Sequence, residues 1–204
     1  MRIGLFGGTF DPPHLGHMIL AAEARYQLKL DRLLFVLTPD PPHKRDREIT
    51  SLGHRLTLVE AALAENPAFE LSRVEIDRPG PHYAVDTVRI LQKEFPTDDL
   101  IYLMGGDSMS DLTKWHDPQA FVEACHEIGV MHRPEFGFDL DELNEHLPGV
   151  REKSRIINAP LLEIASREIR ARIAEGRPYR YYLLPQVTQI IKARGLFTKP
   201  DPDL

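Results

Sequence analysis

Between Gly7 and His17 the chain reads Gly7-Gly8-Thr9-Phe10-Asp11-Pro12-Pro13-His14-Leu15-Gly16-His17. Adjacent glycines let a backbone take positive φ and bring its N–H groups against a ligand with no Cβ in the way. His14 and His17 are three residues apart, so at the start of a helix they share one face, and Gly16 between them keeps that face open. Imidazole N–H groups beside the positive end of a helix form an anion site. An isolated His pair at this spacing reads as a solvated helix start or half a metal site. The glycine turn, with Thr9 and Phe10 completing it, moves the reading to phosphate. The spacing is neither the G-x-G-x-x-G dinucleotide fingerprint nor a P-loop.

Four more segments carry groups that could do chemistry. Pro39-Asp40-Pro41-Pro42-His43-Lys44-Arg45 is a proline-stiffened loop with a basic end, and in isolation it reads as a rigid surface loop. Gly80-Pro81-His82-Tyr83-Ala84-Val85-Asp86-Thr87 is a turn into a helix start, with Asp86 complementing the helix dipole. Gly105-Gly106-Asp107-Ser108 sets a carboxylate just beyond an apolar run, where it suits ribose hydroxyls and a helix N-cap equally. Trp115, the only tryptophan, reads in isolation as a core residue. In Ile164-Ala165-Ser166-Arg167-Glu168-Ile169-Arg170, Ser166 is placed to cap a helix with Arg170 above it on the same face. A hydroxyl, unpaired N–H groups and a guanidinium suit a triphosphate, and they also suit an ordinary helix start.

These groups need a scaffold, and the pattern supplies one. Apolar runs predict strands at Arg2 to Phe6, Leu33 to Leu37, Phe69 to Ile76, Leu100 to Met104, Ile128 to Met131 and Arg155 to Asn158. Helix-period segments lie between them: His17 to Leu28, a segment capped by Ser51 and running through Leu63, and Tyr83 to Phe95. Ser166 to Ala174 and Gln186 to Ala193 follow, the last with Gly195 as C-cap. Alternating strands and helices, with strands lacking polar alternation, predict an α/β fold: a doubly wound, mainly parallel sheet with a helical C-terminal segment. In such folds ligands bind beyond the carboxyl ends of the strands, where the candidate residues fall. The 204 residues suit one domain, with 160–204 as a mostly helical part.

Composition narrows the function classes. The net charge of −6 offers no long-range positive field, which argues against nucleic-acid binding. A single cysteine, Cys125, allows neither an intramolecular disulfide nor a Cys-rich zinc site. No signal peptide or membrane span is evident, so the expected location is the cytoplasm and no membrane partner is expected. Oligomeric state is not legible.

The first motif resembles that of the H-x-G-H nucleotidyltransferases, and GGTFDPPHLGH is similar to the bacterial nicotinate-mononucleotide adenylyltransferase family. Matching segments run in order through P-P-H-K, Gly105-x-Asp107, Trp115 and Ser166…Arg170. The resemblance implies a Rossmann-like nucleotidyltransferase that transfers AMP from ATP to nicotinic acid mononucleotide, releasing pyrophosphate. It implies His14, His17, Lys44 and Arg170 as the catalytic set. Gly7, Gly8, Thr9, Phe10, Gly16, Gly105, Asp107 and Ser166 would bind ATP. Tyr83, Ala84, Trp115 and Arg133 would bind the mononucleotide: the backbone after Tyr83 meets the pyridine carboxylate, Trp115 stacks on the ring, and Arg133 serves its phosphate or a rim salt bridge. No protein metal site is implied, and Mg²⁺ would ride on phosphates and water. Residues 160–204 would close the ATP site. The chain departs from the family at a shortened Pro39–Pro42 loop, at Ala84 and Ala165, and at Arg167, which adds a charge. A different phosphorylated acceptor and a catalytically silent nucleotide sensor are the alternatives, against which Trp115 and the intact His pair respectively count.

Overall fold

The structure is a computed structural model and describes residues 1–40, 49–131, 138–160 and 162–198. Six strands form one sheet: β1 (Arg2–Gly8), β2 (Arg32–Leu37), β3 (Phe69–Ser72), β4 (Asp99–Gly105), β5 (Glu127–Met131) and β6 (Ser154–Ile157). Their order is β3-β2-β1-β4-β5-β6, and every neighbouring pair is parallel. The order reverses between β1 and β4, so the carboxyl ends of these two strands open a crevice at the switch point. The expected doubly wound parallel fold is what the chain forms.

Alternation along the strands divides the core. Ile3 and Leu5 of β1, with Leu100 and Met104 of β4, pack on one face. They meet α3 (Ala84–Glu94), α5 (Pro118–Ala124), α6 (Leu140–His146) and α7 (Val150–Lys153) through Val88, Phe121, Leu143 and Val150. Phe6 of β1 and Ile101 and Leu103 of β4 face the other way, onto α1 (Leu15–Gln27) and α2 (Leu52–Leu63). A third cluster joins α2 to α8 (Ser166–Ala174) and α9 (Pro185–Arg194) through Leu58, Ile169, Val187 and Ile191. Residues 166–194 therefore pack on the α1/α2 face. Cys125 is buried in the first cluster, and burial pushes its thiol pKa up, so it serves as a packing residue.

Local chemistry explains where the structure departs from the sequence-based expectation. β3 stops at Ser72 rather than reaching Ile76. Its one neighbour among the described strands, β2, ends one residue beyond the pairing of Val36 with Ser72, and the chain then turns, with Asp77 N–H bonded to the Arg73 carbonyl at 2.9 Å. Ser51 holds the N-cap position of α2 but makes no side-chain cap bond. Gly195 ends α9 at φ 58°, the left-handed cap that glycine favours. A short helix α4 (Gly106–Ser110) follows β4 directly, and a 3₁₀ turn spans Leu112–Lys114.

Gly129 in β5 shows how tightly the sheet is covered. A Cβ there would lie 2.6 Å from Leu103 Cδ2 and 2.9 Å from both Ile157 Cδ1 and Leu28 Cδ1. All three residues are buried, so there is little room to yield. Gly129→Ala is expected to lower unfolding free energy by about 1–3 kcal/mol in urea denaturation. A neutral or stabilising result would show that the layers are looser than this geometry.

Candidate active site

The segment Thr9–His14 leaves the end of β1 and delivers His14 as the N-cap of α1, with φ −139° and ψ 170°. The histidines cap the helix reciprocally. His17 N–H donates to His14 Nδ1 at 3.4 Å, and His14 N–H donates to His17 Nδ1 at 3.2 Å. This is a capping box built from imidazoles, each satisfying a backbone donor the helix cannot satisfy itself. An Nδ1 that accepts carries no proton, so each ring holds its N–H on Nε2. The rings stack, with centroids 3.7 Å apart and planes 27° from parallel. His14 is buried, at 6% exposure. A Cβ on Gly16 would stand 3.0 Å from His14 Nδ1, so glycine is what lets this ring lie against the helix.

The glycine turn works differently from the sequence-based expectation. Gly7 and Gly8 are strand residues and do not take positive φ; Phe10 does, at 47°. The glycines serve close approach instead. A Cβ on Gly8 would lie 2.8 Å from the Phe10 ring, and one on Gly7 would lie 3.3 Å from the Tyr102 hydroxyl. The Phe10 side chain is buried against Phe6, Phe35 and His17, so what Phe10 can offer a ligand is backbone.

Helix α8 closes on this turn. Ser166 Oγ donates to the Pro12 carbonyl at 2.9 Å, and Arg170 Nη1 donates to the Asp11 carbonyl at 2.9 Å. Ser166 is thus the first residue of α8 rather than its cap; Ala165 holds the N-cap position. The hydroxyl, turned toward the Asp11-Pro12 backbone, ties α8 to the histidine loop. Gly7, Gly8, Thr9, Phe10, His14, Gly16, His17, Ser166 and Arg170 therefore form one continuous patch.

Across the crevice lies a second patch. Gly105 holds the N-cap position of α4, and exposed Asp107 occupies its first turn. A Cβ on residue 105 would crowd the Asp107 Oδ1, so glycine leaves that exposed carboxylate room in its present position. Trp115 is half-buried, its ring 5.2 Å from Phe121 and 6.2 Å from Tyr102. It anchors on the core while keeping part of its surface accessible. Tyr83 is the N-cap of α3 and stacks on His116 at 3.9 Å, planes 19° apart. Ala84 opens α3, where the first backbone N–H groups have no partner within the helix. The patches meet at Tyr102, which touches Trp115 and lies beneath Gly7; desolvation there raises its phenol pKa. Lys44 and Arg133 lie outside the described residues.

Three contributors carried no motif of their own. Asp11, 4% exposed, accepts the Thr50 N–H at 3.2 Å on Oδ2, and Arg170 Nη1 stands 4.0 Å from the same oxygen. Arg55 of α2, 2% exposed, donates to four loop carbonyls. His116 holds the Tyr83 ring. Asp11 lay inside the glycine segment, and Arg55 is a cation on the apolar stripe of Leu58, Val59 and Ala62. Among the described residues no group of three or more His, Cys, Asp or Glu side chains is placed to hold a metal, and no helix is long and apolar enough to cross a membrane.

Against known proteins, residues 5–172 match the cytidylyltransferase-like family. A probable nicotinate-nucleotide adenylyltransferase of Thermomicrobium roseum is 42% identical over 196 residues, covering 96% of this chain and 91% of that protein. One from Thermus thermophilus is 42% identical over 197 residues, covering 97% and 100%. Among solved structures, Plasmodium falciparum nicotinic acid mononucleotide adenylyltransferase complexed with NaAD superposes with a TM-score of 0.79 at 18% identity, covering 98% of each chain.

The capping box makes His17 a sharp probe. His17→Ala removes one Nε2–H donor and one cap bond. Turnover is expected to fall by about 10²-fold or more, the scale for losing one preorganised donor to developing charge. Stability should fall by only about 1 kcal/mol. Steady-state kinetics and thermal melting read the two effects separately, and near wild-type turnover would remove His17 from the anion site.

Proposed function

Because the chain belongs to the nicotinate-nucleotide adenylyltransferases within the cytidylyltransferase-like family, we propose that it transfers AMP from ATP to nicotinic acid mononucleotide, forming the deamido dinucleotide and pyrophosphate. The observation that carries this reading is the stacked, reciprocally capped His14–His17 pair at the sheet's switch point. It presents two neutral N–H donors at a helix start, which suits phosphate.

A 5′-phosphate oxygen of the mononucleotide attacks the α-phosphorus of ATP in line with the departing pyrophosphate. One P–O bond forms as the other breaks, and no protein nucleophile takes part. The enzyme's work is to bring two anions together and oppose charge growth at the α-phosphate. His14 and His17 donate from Nε2 to the α-phosphate, assisted by the Gly7–Phe10 backbone. Arg170, whose Nη1 fixes the Asp11 carbonyl, directs its guanidinium charge toward the β/γ-phosphates with Lys44, and Ser166 sets the helix beside them. Asp107, exposed at the end of β4, binds ribose hydroxyls. The N–H groups opening α3 after Tyr83 meet the pyridine carboxylate, Trp115 stacks on the ring, and the charge of Arg133 is assigned to its phosphate. Residues 160–204 belong to the same domain and close the ATP side.

The carboxylates near the histidine loop and the end of β4 favour a cation carried by the nucleotide over one held by the protein. Asp11 is buried with one oxygen on Thr50, and among the described residues exposed Asp107 has no companions for a cage. Mg²⁺, bound by phosphate oxygens and water, would neutralise triphosphate charge. The reaction is assigned to the cytoplasm.

Two measurements test the reading. Dinucleotide formation from ATP should be fast with nicotinic acid mononucleotide and slower with the amide, whose uncharged group loses the carboxylate contact. No product with either would defeat the activity. Trp115, as sole tryptophan, should be quenched by the mononucleotide and much less by ATP. Trp115→Ala should raise the acceptor KM several-fold or more, since ring stacking contributes about 0.5–1.5 kcal/mol beyond area burial, and leave the ATP KM nearly unchanged. Emission blind to the mononucleotide, with both KM values rising together as stability falls, would make Trp115 a core residue instead.

A further inference from the structure

Arg55 is the most deeply buried charged side chain among the described residues, at 2% exposure, yet no carboxylate hydrogen-bonds to it among the described contacts. Its guanidinium is spent on backbone. Nε donates to the Thr50 carbonyl at 2.8 Å. Nη1 donates to Thr38 at 2.8 Å and to Thr9 at 3.2 Å, and Nη2 donates to Pro39 at 2.7 Å. Those carbonyls come from three different stretches: the turn after β1, the end of β2, and the lead into α2. Burial pulls the guanidinium pKa below its ordinary value, while the charges of Asp11 and Asp40 oppose that shift. Placing an arginine here is costly for a protein that could have put an apolar residue on the same helix stripe.

The bonds close a ring around the proposed phosphate turn. Thr9 C=O accepts from Arg55, Arg55 donates to Thr50 C=O, and Thr50 N–H donates to the Asp11 carboxylate. Thr9 and Asp11 flank Phe10, the residue at φ 47°. A non-glycine residue in that region persists where its surroundings over-determine it. The ring does so, and Arg170 fixes the Asp11 carbonyl from the other side.

We propose that Arg55 is a positioning residue for the nucleotide-donor half of the reaction: its planar fork holds the Thr9, Thr38, Pro39 and Thr50 carbonyls in one arrangement and thereby fixes the Thr9–Asp11 backbone against the α-phosphate. The inference rests on the adenylyl-transfer reading above. It goes beyond it in assigning a role to a buried residue that touches no substrate. An ammonium cannot replace the fork, because its three tetrahedral donors do not span four carbonyls in one plane. The acceptor side, built on α3 and Trp115, packs in a different hydrophobic cluster from the elements of this ring.

Arg55→Lys and Arg55→Ala test it in the full-length enzyme. Arg55→Lys is expected to fold and to lose about 10–100-fold in kcat, the scale for a small misplacement of reacting groups. The KM for ATP and the Kd of a non-hydrolysable ATP analogue should rise several-fold, and the acceptor KM should stay within about twofold. Millimolar guanidinium should restore part of the turnover of Arg55→Ala. A Lys variant with wild-type kcat and both KM values would overturn the proposal, as would equal rises in both KM values that follow the loss in melting temperature. If neither variant folds, hydrogen exchange on the wild type decides. The Thr50 amide should be protected well beyond its chain neighbours, and exchange at the unstructured rate would break the ring and the proposal with it. Wild-type product formation reads the reaction itself, so failure of that reading is distinguished from failure of the role given to Arg55.

Discussion

The first turn of α1 must satisfy backbone N–H groups that no helix can satisfy for itself, and here the groups that do so are the two histidines proposed to meet the α-phosphate. Most helices spend a Ser, Thr, Asp or Asn on this duty. Using His14 and His17 couples structure to chemistry, because each Nδ1 that accepts a cap bond commits its ring to one tautomer. Orientation and protonation state are then set together, before any ligand arrives. Neutral rings also stack at 3.7 Å without the repulsion that two imidazolium ions would suffer. Gly16 suits this arrangement, since a Cβ there would press on the His14 ring at 3.0 Å.

The neighbouring devices hold that turn still. Ser166 and Arg170 grip its Pro12 and Asp11 carbonyls from α8, and Arg55 holds Thr9 from beneath. Groups that would otherwise compete for a phosphate are thus partly used on backbone carbonyls, so the loop cannot relax toward its ligand. The histidine-loop residues proposed for the donor and the residues proposed for the acceptor pack on opposite faces of the sheet, while Asp107, proposed for ribose, lies with the acceptor residues. Donor-side elements α1, α2 and α8 cluster with β1's Phe6 or on α2, whereas acceptor-side residues Tyr83, Ala84 and Trp115 pack on the cluster of Ile3 and Leu5. Gly7 and Tyr102 are the hinge of contact between the halves.

Much of this was legible in the sequence because the strongest signals are local. Apolar runs of five residues marked the central strands to within a residue or two, and β1 and β4 delivered their glycine motifs where an α/β sheet binds ligands. The histidine pair was readable as a shared helical face. Its reciprocal capping was not, since that depends on side chains bending back onto backbone. Ser166 carries the signature of a cap, a serine before an apolar segment, and only the approach of Pro12 turns its hydroxyl away from that duty. Gly7 and Gly8 looked like positive-φ residues, but the left-handed turn fell on Phe10, whose ring finds a buried slot only because Gly8 lacks a Cβ. Helices α4 to α7 are four to seven residues long, too short for periodicity to speak, although Asp117-Pro118 before Phe121 and Val122 is a recognisable start. Arg55 could have been found as a cation on an apolar stripe, a conflict between local pattern and burial that tends to mark function.

An overall charge of −6 poses a last problem, since the proposed substrates are polyanions. Long-range steering cannot help, so favourable potential must be built over a few ångströms. The helix start at His14, the guanidinium of Arg170 and the buried charge of Arg55 are concentrated around one turn, with the carboxylate of Asp11 buried among them. That carboxylate is hidden from the crevice, its Oδ2 turned to Thr50 and its Oδ1 buried without a hydrogen-bond partner. Its negative charge therefore offsets Arg55 inside the protein rather than meeting a phosphate outside it. Burial does for this site what net charge does for a basic nucleotide-binding surface: it puts like charges where the ligand does not feel them and leaves the donors facing it.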